Sequence, residues 1–245
     1  MSQPATPRAD APLPAMLLPV LGSSRLFEHI ETLRGKWDEE QDRRARFRDE
    51  VRADQKHEFI NGEIIVSSPS RLGHSRIVGR LLELLRVFNR LHAPGAIAVV
   101  EKAMIDCGRN DYEPDLIWYS PASAPTLDDD MVTLPPPDLA VEVLSPSTAA
   151  RDRKVKFQDY AFSGISEYWI VDGETRTVER HRLDPATRAY RPPETGPDIA
   201  WRPDTGIATD PATADAGTPP EPTFPARTLF DEDAMTDALR ALTAN

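Results

Sequence analysis

The chain has 245 residues, 28% of them charged and 40% hydrophobic, the make-up of a soluble globular protein of one sizeable domain or two small ones. No apolar run approaches the roughly 18 residues of a membrane span, and a single cysteine, Cys107, excludes disulfide frameworks and multi-thiolate zinc sites within one chain. The net charge of −11 speaks against a DNA-binding surface until it is resolved by position: counted by fifties, the chain carries −1, +3, −8, 0 and −5.

Five of the 24 prolines fall before residue 21 and ten between Pro185 and Pro225, so residues 1–22 read as a flexible tail and 186–225 as a proline-rich linker or loop. No signal or targeting segment is expected, and the lone thiol fits a reducing cytoplasm. Residues 23–54 read as a helical extension: Leu26, Phe27, Ile30 and Leu33 stand at helical spacing, followed by a wholly polar stretch. The basic run Arg43–Arg48, interleaved with acids, is expected to be a solvated face.

The Asn61-Gly62 pair between two β-rich runs predicts a hairpin. A strongly amphipathic helix follows, with Ile77, Val78, Leu81, Leu84, Leu85 and Phe88 on one face and Arg76, Arg80, Arg86 and Arg90 on the other. Strands are expected at 96–101, 113–119 and 138–144, a helix from 149 to Ser163 stopped by Gly164, two strands at 167–171 and 177–183, and a closing helix near 232–242 within a C-terminal segment 226–245. The hydroxyl run Ser145–Thr148 is expected to cap its helix. This order predicts an α/β (α+β) fold: a mixed β-sheet flanked by helices, its core at 55–185, with an N-terminal hairpin and helical extension.

The informative residues are acids in apolar surroundings. Glu142 interrupts a strand that is otherwise apolar, where an ionised carboxylate is costly unless paired or bound to a cation. An ion pair with an arginine is the simpler explanation for it alone. Asp115 stands at the entrance of a second such strand, and two neighbouring strands each delivering a carboxylate suit a hard cation such as Mg²⁺. Asp152, Lys156 and Tyr160 recur every four residues on the next helix; an intrahelical Asp152–Lys156 pair would by itself be of little account. No Gly-x-Ser-x-Gly elbow, His-Glu-x-x-His or phosphate-binding glycine loop is present.

Asn61-Gly62-Glu63-Ile64, the Pro69 to His74 approach, Glu113-Pro114-Asp115-Leu116, the run Asp138–Thr148, and Asp152-Arg153-x-x-Lys156-x-x-x-Tyr160-Ala161 through Asp172 together resemble the Uma-type "putative restriction endonuclease" family of the PD-(D/E)XK nuclease superfamily, over roughly residues 55 to 185. The resemblance implies a Mg²⁺-dependent phosphodiester hydrolase, with Mn²⁺ as a substitute, acting on nucleic acid, in the first place DNA. Asp115 and Glu142 would be the metal ligands. Leu144 stands where the superfamily's simplest pattern has lysine, and the family solution carries that role to Lys156, with Lys154 as competitor. Glu63 matches a further family acid and counts as a catalytic candidate, with Glu58 a weaker one; His74, Arg76 and Arg80 are candidate nucleic-acid contacts. A symmetric homodimer would suit a duplex with two strands to cut. The competing expectation is a nuclease fold without turnover, serving as a binding module for nucleic acid or protein.

Overall fold

The computed structural model describes residues 14–50, 55–196, 200–201 and 224–243; the expected tail at 1–13 and most of the proline-rich stretch lie outside these residues. The described residues begin with two helical turns, Ala15–Leu17 and Leu18–Leu21, where the sequence suggests a tail; Pro19 sits in a first turn, where its missing N–H is not needed. One helix, α1 (Leu26–Glu50), then spans both halves of the predicted extension. Strands β1 (His57–Ile60) and β2 (Glu63–Val66) form the predicted hairpin, with positive φ at both Asn61 (52°) and Gly62 (85°), as a type I′ turn requires.

Helix α2 (Leu72–His92) leads to β3 (Ile97–Val100), β4 (Met104–Cys107), β5 (Asn110–Tyr112), β6 (Leu116–Tyr119), β7 (Thr133–Leu134) and β8 (Leu139–Val143). The crossover α3 at 149–163 is built from a short α turn, a π-helical turn at Asp152–Lys156 and the α-helix Phe157–Ser163, closed by Gly164 at φ 87°. Then come β9 (Glu167–Asp172), β10 (Thr177–Asp184), β11 (Ala189–Tyr190), β12 (Glu194–Thr195), the small pair β13 (Ala200–Trp201) and β14 (Phe224–Pro225), and helix α4 (Glu232–Thr243).

The main sheet runs β11-β10-β9-β8-β6-β3, with β12 beside β10; β8 and β9 are parallel, the geometry that demands a crossover helix. A second sheet runs β2-β1-β5-β4-β7. Strand alternation divides the interior in two. Leu116, Trp118, Val141 and Trp169 face α2, α4 and Phe224, while Ile117, Tyr119, Ala140 and Ile170 face the second sheet and α3. The C-terminal segment is therefore part of the main core, with Leu229 and Met235 buried in it.

Helix α1 reverses the sequence expectation. Its apolar residues Phe27, Ile30, Leu33 and Trp37 are 39–74% exposed, and its buried positions are Glu40, Arg44 and Phe47. Arg44 and Arg48 are not a solvated face: both fork onto Asp111, which is wholly buried, and both reach Asp106. Arg44 also donates to the Gly108 carbonyl. No described helix is long and apolar enough to cross a membrane.

Candidate active site

The register between β6 and β8 pairs Leu116 with Val141, and one step further it sets Asp115 opposite Glu142. Both follow the alternation of Ile117 and Ala140, so both point to the face shared with α3 and the second sheet. Only 5% of Asp115 and 2% of Glu142 is exposed. The two acids that the sequence singles out are thus neighbours by strand geometry.

Helix α3 delivers the cation. Lys156 is 1% exposed, and its Nζ lies 2.8 Å from Glu142 Oε1, 2.8 Å from Glu58 Oε1 and 3.4 Å from Asp152 Oδ1. The Tyr160 hydroxyl donates to the same Glu142 oxygen at 2.8 Å, so both bonds fall on Oε1. Lys154, the competing lysine, is exposed. Asp152 and Lys156 form a buried pair, not an exposed one, and neither carboxylate oxygen of Asp152 has a hydrogen bond among the described residues. The run Ser145–Thr148 does not cap α3: Ser145 and Thr148 hydroxyls bond each other at 3.0 Å.

A second lysine, absent from the sequence reading, guards Asp115. Lys56 Nζ lies 2.7 Å from Asp115 Oδ1 and His74 Nε2 3.4 Å from the same oxygen, while the Val143 N–H donates to Oδ2 at 2.8 Å. Burial pushes the Asp115 carboxyl up, but His74 and Lys56 more than reverse this and hold it well below the ordinary range. Glu142 moves the other way: burial raises it to about 8 against the pull of Lys156. Lys156 in turn is held well above its usual value, because Glu142, Glu58 and Asp152 outweigh its own burial.

Not every candidate joins this cluster. Glu63 shares a face of the hairpin with Glu58 but sits opposite Ile60 at the turn end and is exposed; Glu58, opposite Ile65 and 1% exposed, is the hairpin acid that reaches Lys156. Arg76 is exposed beside the acids at a common cavity. Arg80 lines that cavity too but is engaged by the Leu229 carbonyl at 3.1 Å and by Glu232. Arg86 and Arg90 border a separate depression with Asn89 and Ile97, so the arginine face is divided.

Four buried carboxylates, Glu58, Asp115, Glu142 and Asp152, therefore face two lysines, with Arg151 3.5 Å from Glu58 at the margin. The acids outnumber the lysines that pair with them, and Arg151 and His74 complete the contacts at the margin. Among the described residues no group of three or more His, Cys, Asp or Glu side chains is arranged to hold a metal ion. Two opposed carboxylates opening on a cavity fit a hard divalent ion that keeps most of its waters, and do not fit structural zinc.

A mixed sheet that sets an acid pair at the mouth of its crossover helix is a nuclease-like α+β fold. Residues 39–219 match the Uma2 family, described as "Putative restriction endonuclease", and the chain belongs to that family. It is also similar to a crystal structure described as a "putative nuclease belonging to DUF820" from Anabaena variabilis ATCC 29413, with a TM-score of 0.54 and 20% identity over 73% of this chain and 90% of that one, a likeness of fold. No curated protein matches the chain.

Proposed function

We propose that the chain is a divalent-cation-dependent endonuclease that hydrolyses phosphodiester bonds in DNA, with Asp115 and Glu142 as the ligands of Mg²⁺ or Mn²⁺. One observation carries the reading: two buried carboxylates opposed across neighbouring strands, with the Lys156 ammonium 2.8 Å from one of them. The cation, when bound, supplies Lewis-acid polarisation of the phosphate and a more acidic water. Asp115 keeps its charge, and the Val143 N–H fixes its orientation. Glu142 presents Oε2, the oxygen that neither Lys156 nor Tyr160 engages. Lys156 orients the attacking water and offsets the charge that grows on the phosphate. Glu58 and Asp152 hold the ammonium in place from the other side. Arg76 at the cavity edge contacts the DNA backbone, and His74 steadies Asp115.

The test is the purified full chain with Mg²⁺ or Mn²⁺ and plasmid or single-stranded DNA, beside Asp115→Ala and Lys156→Ala. Wild type cuts and the two variants do not; equal nicking by all three preparations overturns the assignment. A calorimetric Mg²⁺ titration checks the ligands without needing the right substrate: Glu142→Ala loses the binding isotherm that wild type gives.

A further inference from the structure

The cavity above the acids has a volume of about 700 Å³, within the range of pockets that hold whole small molecules and larger than one cation and one phosphate need. Its chemistry is divided. The floor is Asp115, Glu142 and Lys156, all at most 5% exposed, so a scissile phosphate has to descend below the rim to reach them. One wall is apolar, made by Ile77 of α2 and by Leu229 and Phe230 from the C-terminal segment.

That wall is anchored. Arg80 binds the Leu229 carbonyl and Glu232, and Leu229 is wholly buried in the main core. Phe230 packs against the same core yet remains partly open and lines the cavity. The residues lie beyond the span 39–219 that defines the family match.

A phosphate floor beside an aromatic and aliphatic wall is the chemistry of a nucleotide, whose anionic and apolar parts are separated in the same way. Two paired strands do not enter a space of this size, whereas one unstacked nucleotide does. We infer that the site takes an unpaired DNA nucleotide: the scissile phosphate lies on the floor and an adjacent base lies against the open side of Phe230. The substrate is then a single strand, or a duplex with a locally unpaired position, and not intact duplex. This inference rests on the hydrolase reading for its phosphate floor, but its base subsite is tested separately.

The experiment uses the full chain and dye-labelled oligonucleotides of one sequence, prepared as a single strand, a perfect duplex and a duplex with one unpaired nucleotide. Binding is followed by anisotropy with Ca²⁺, and cleavage is followed with Mg²⁺. The single strand and the interrupted duplex bind at least about tenfold more tightly than the perfect duplex. Phe230→Ala loses about tenfold for the single strand, the scale of one aromatic–base stack, and nothing for duplex. Phe230→Leu, which keeps the apolar volume and guards against a folding defect, gives a smaller loss with an unchanged thermal midpoint. Equal binding of single strand and duplex, or wild-type affinity in Phe230→Ala, overturns the inference, and so does an absence of all binding. Preference for the unpaired strand without any cleavage leaves the base subsite standing and sinks the hydrolase reading; cleavage of duplex and single strand alike does the reverse.

Discussion

Two of the clusters of buried charge among the described residues are built on opposite plans. Around Asp111, two arginines meet two aspartates: Arg44 and Arg48 each present a planar fork to the one buried carboxylate, and Asp106 takes the remaining contacts. Charge is balanced there, and none of these residues lines the cavity. Around Lys156, acids outnumber lysines, the cations are point charges on flexible stems, and Asp115, Glu142 and Lys156 all border open space. Burial of charge alone does not distinguish a structural clamp from the proposed metal site. Imbalance and access do.

Neutralising one acid in each cluster sharpens the contrast most. On the proposed reading, Glu142→Gln lowers DNA cleavage by about 10³-fold or more, because the proposed cation ligand is lost. Its folding stability holds or rises by about 1 kcal/mol, since burial already disfavours the ionised form of this group. Urea denaturation beside a cleavage assay reads both. Asp111→Asn does the opposite, costing about 3 kcal/mol or more of stability by leaving two arginine forks on a neutral amide, with activity per folded molecule unchanged. A stable Asp111→Asn would erase the distinction between the clusters.

A smaller effect is expected at Lys56, whose side chain is 24% exposed. A cation binding Asp115 at Oδ1 must displace this ammonium, so Lys56→Met strengthens Mg²⁺ binding by about fivefold, the worth of a partly exposed ion pair near 1 kcal/mol. Calorimetry checks it, and weaker binding would make Lys56 part of the cation's support. The smallest effect is one of pH. Burial raises the Asp106 carboxyl, but the Arg44 hydrogen bond and charge outweigh that and hold it below its ordinary 3.8. Its contribution is complete above that value and fades as pH falls through the depressed one. The stability gap between wild type and Asp106→Asn therefore narrows from pH 5 to pH 3, by less than about 1 kcal/mol, given that Asp106 is about a third exposed.

The same contrast explains what the sequence made legible. Asp115 and Glu142 stand out because their strands are otherwise apolar, so a carboxylate is visible as an interruption. Lys156 needed the family resemblance, since helical spacing alone offers an ordinary intrahelical pair with Asp152. Lys56 gives no signal: it lies one residue before β1 and reaches Asp115 only through tertiary folding. Glu63 outranked Glu58 by motif, although position along the hairpin decides which acid is buried. The clamp was misread because periodicity counts apolar residues, whereas α1 buries Glu40, Arg44 and Phe47 at helical spacing. The hairpin of β4 and β5 went unseen for the same reason: Asp106, Asn110 and Asp111 are polar strand residues matched by partners elsewhere, Arg44 and the Asn61 N–H among them.

The wall contributed by Leu229 and Phe230 also has a consequence in time. A ribosome makes this segment after every strand of the two larger sheets and after the helix that carries Lys156. A nascent chain can assemble its acids and its lysine while the cavity beside them still lacks a side, and Arg80 has nothing to grip until the final segment emerges. The order of synthesis thus delays the completed cavity until translation has passed residue 232, so its acids and its lysine are in place before the wall beside them.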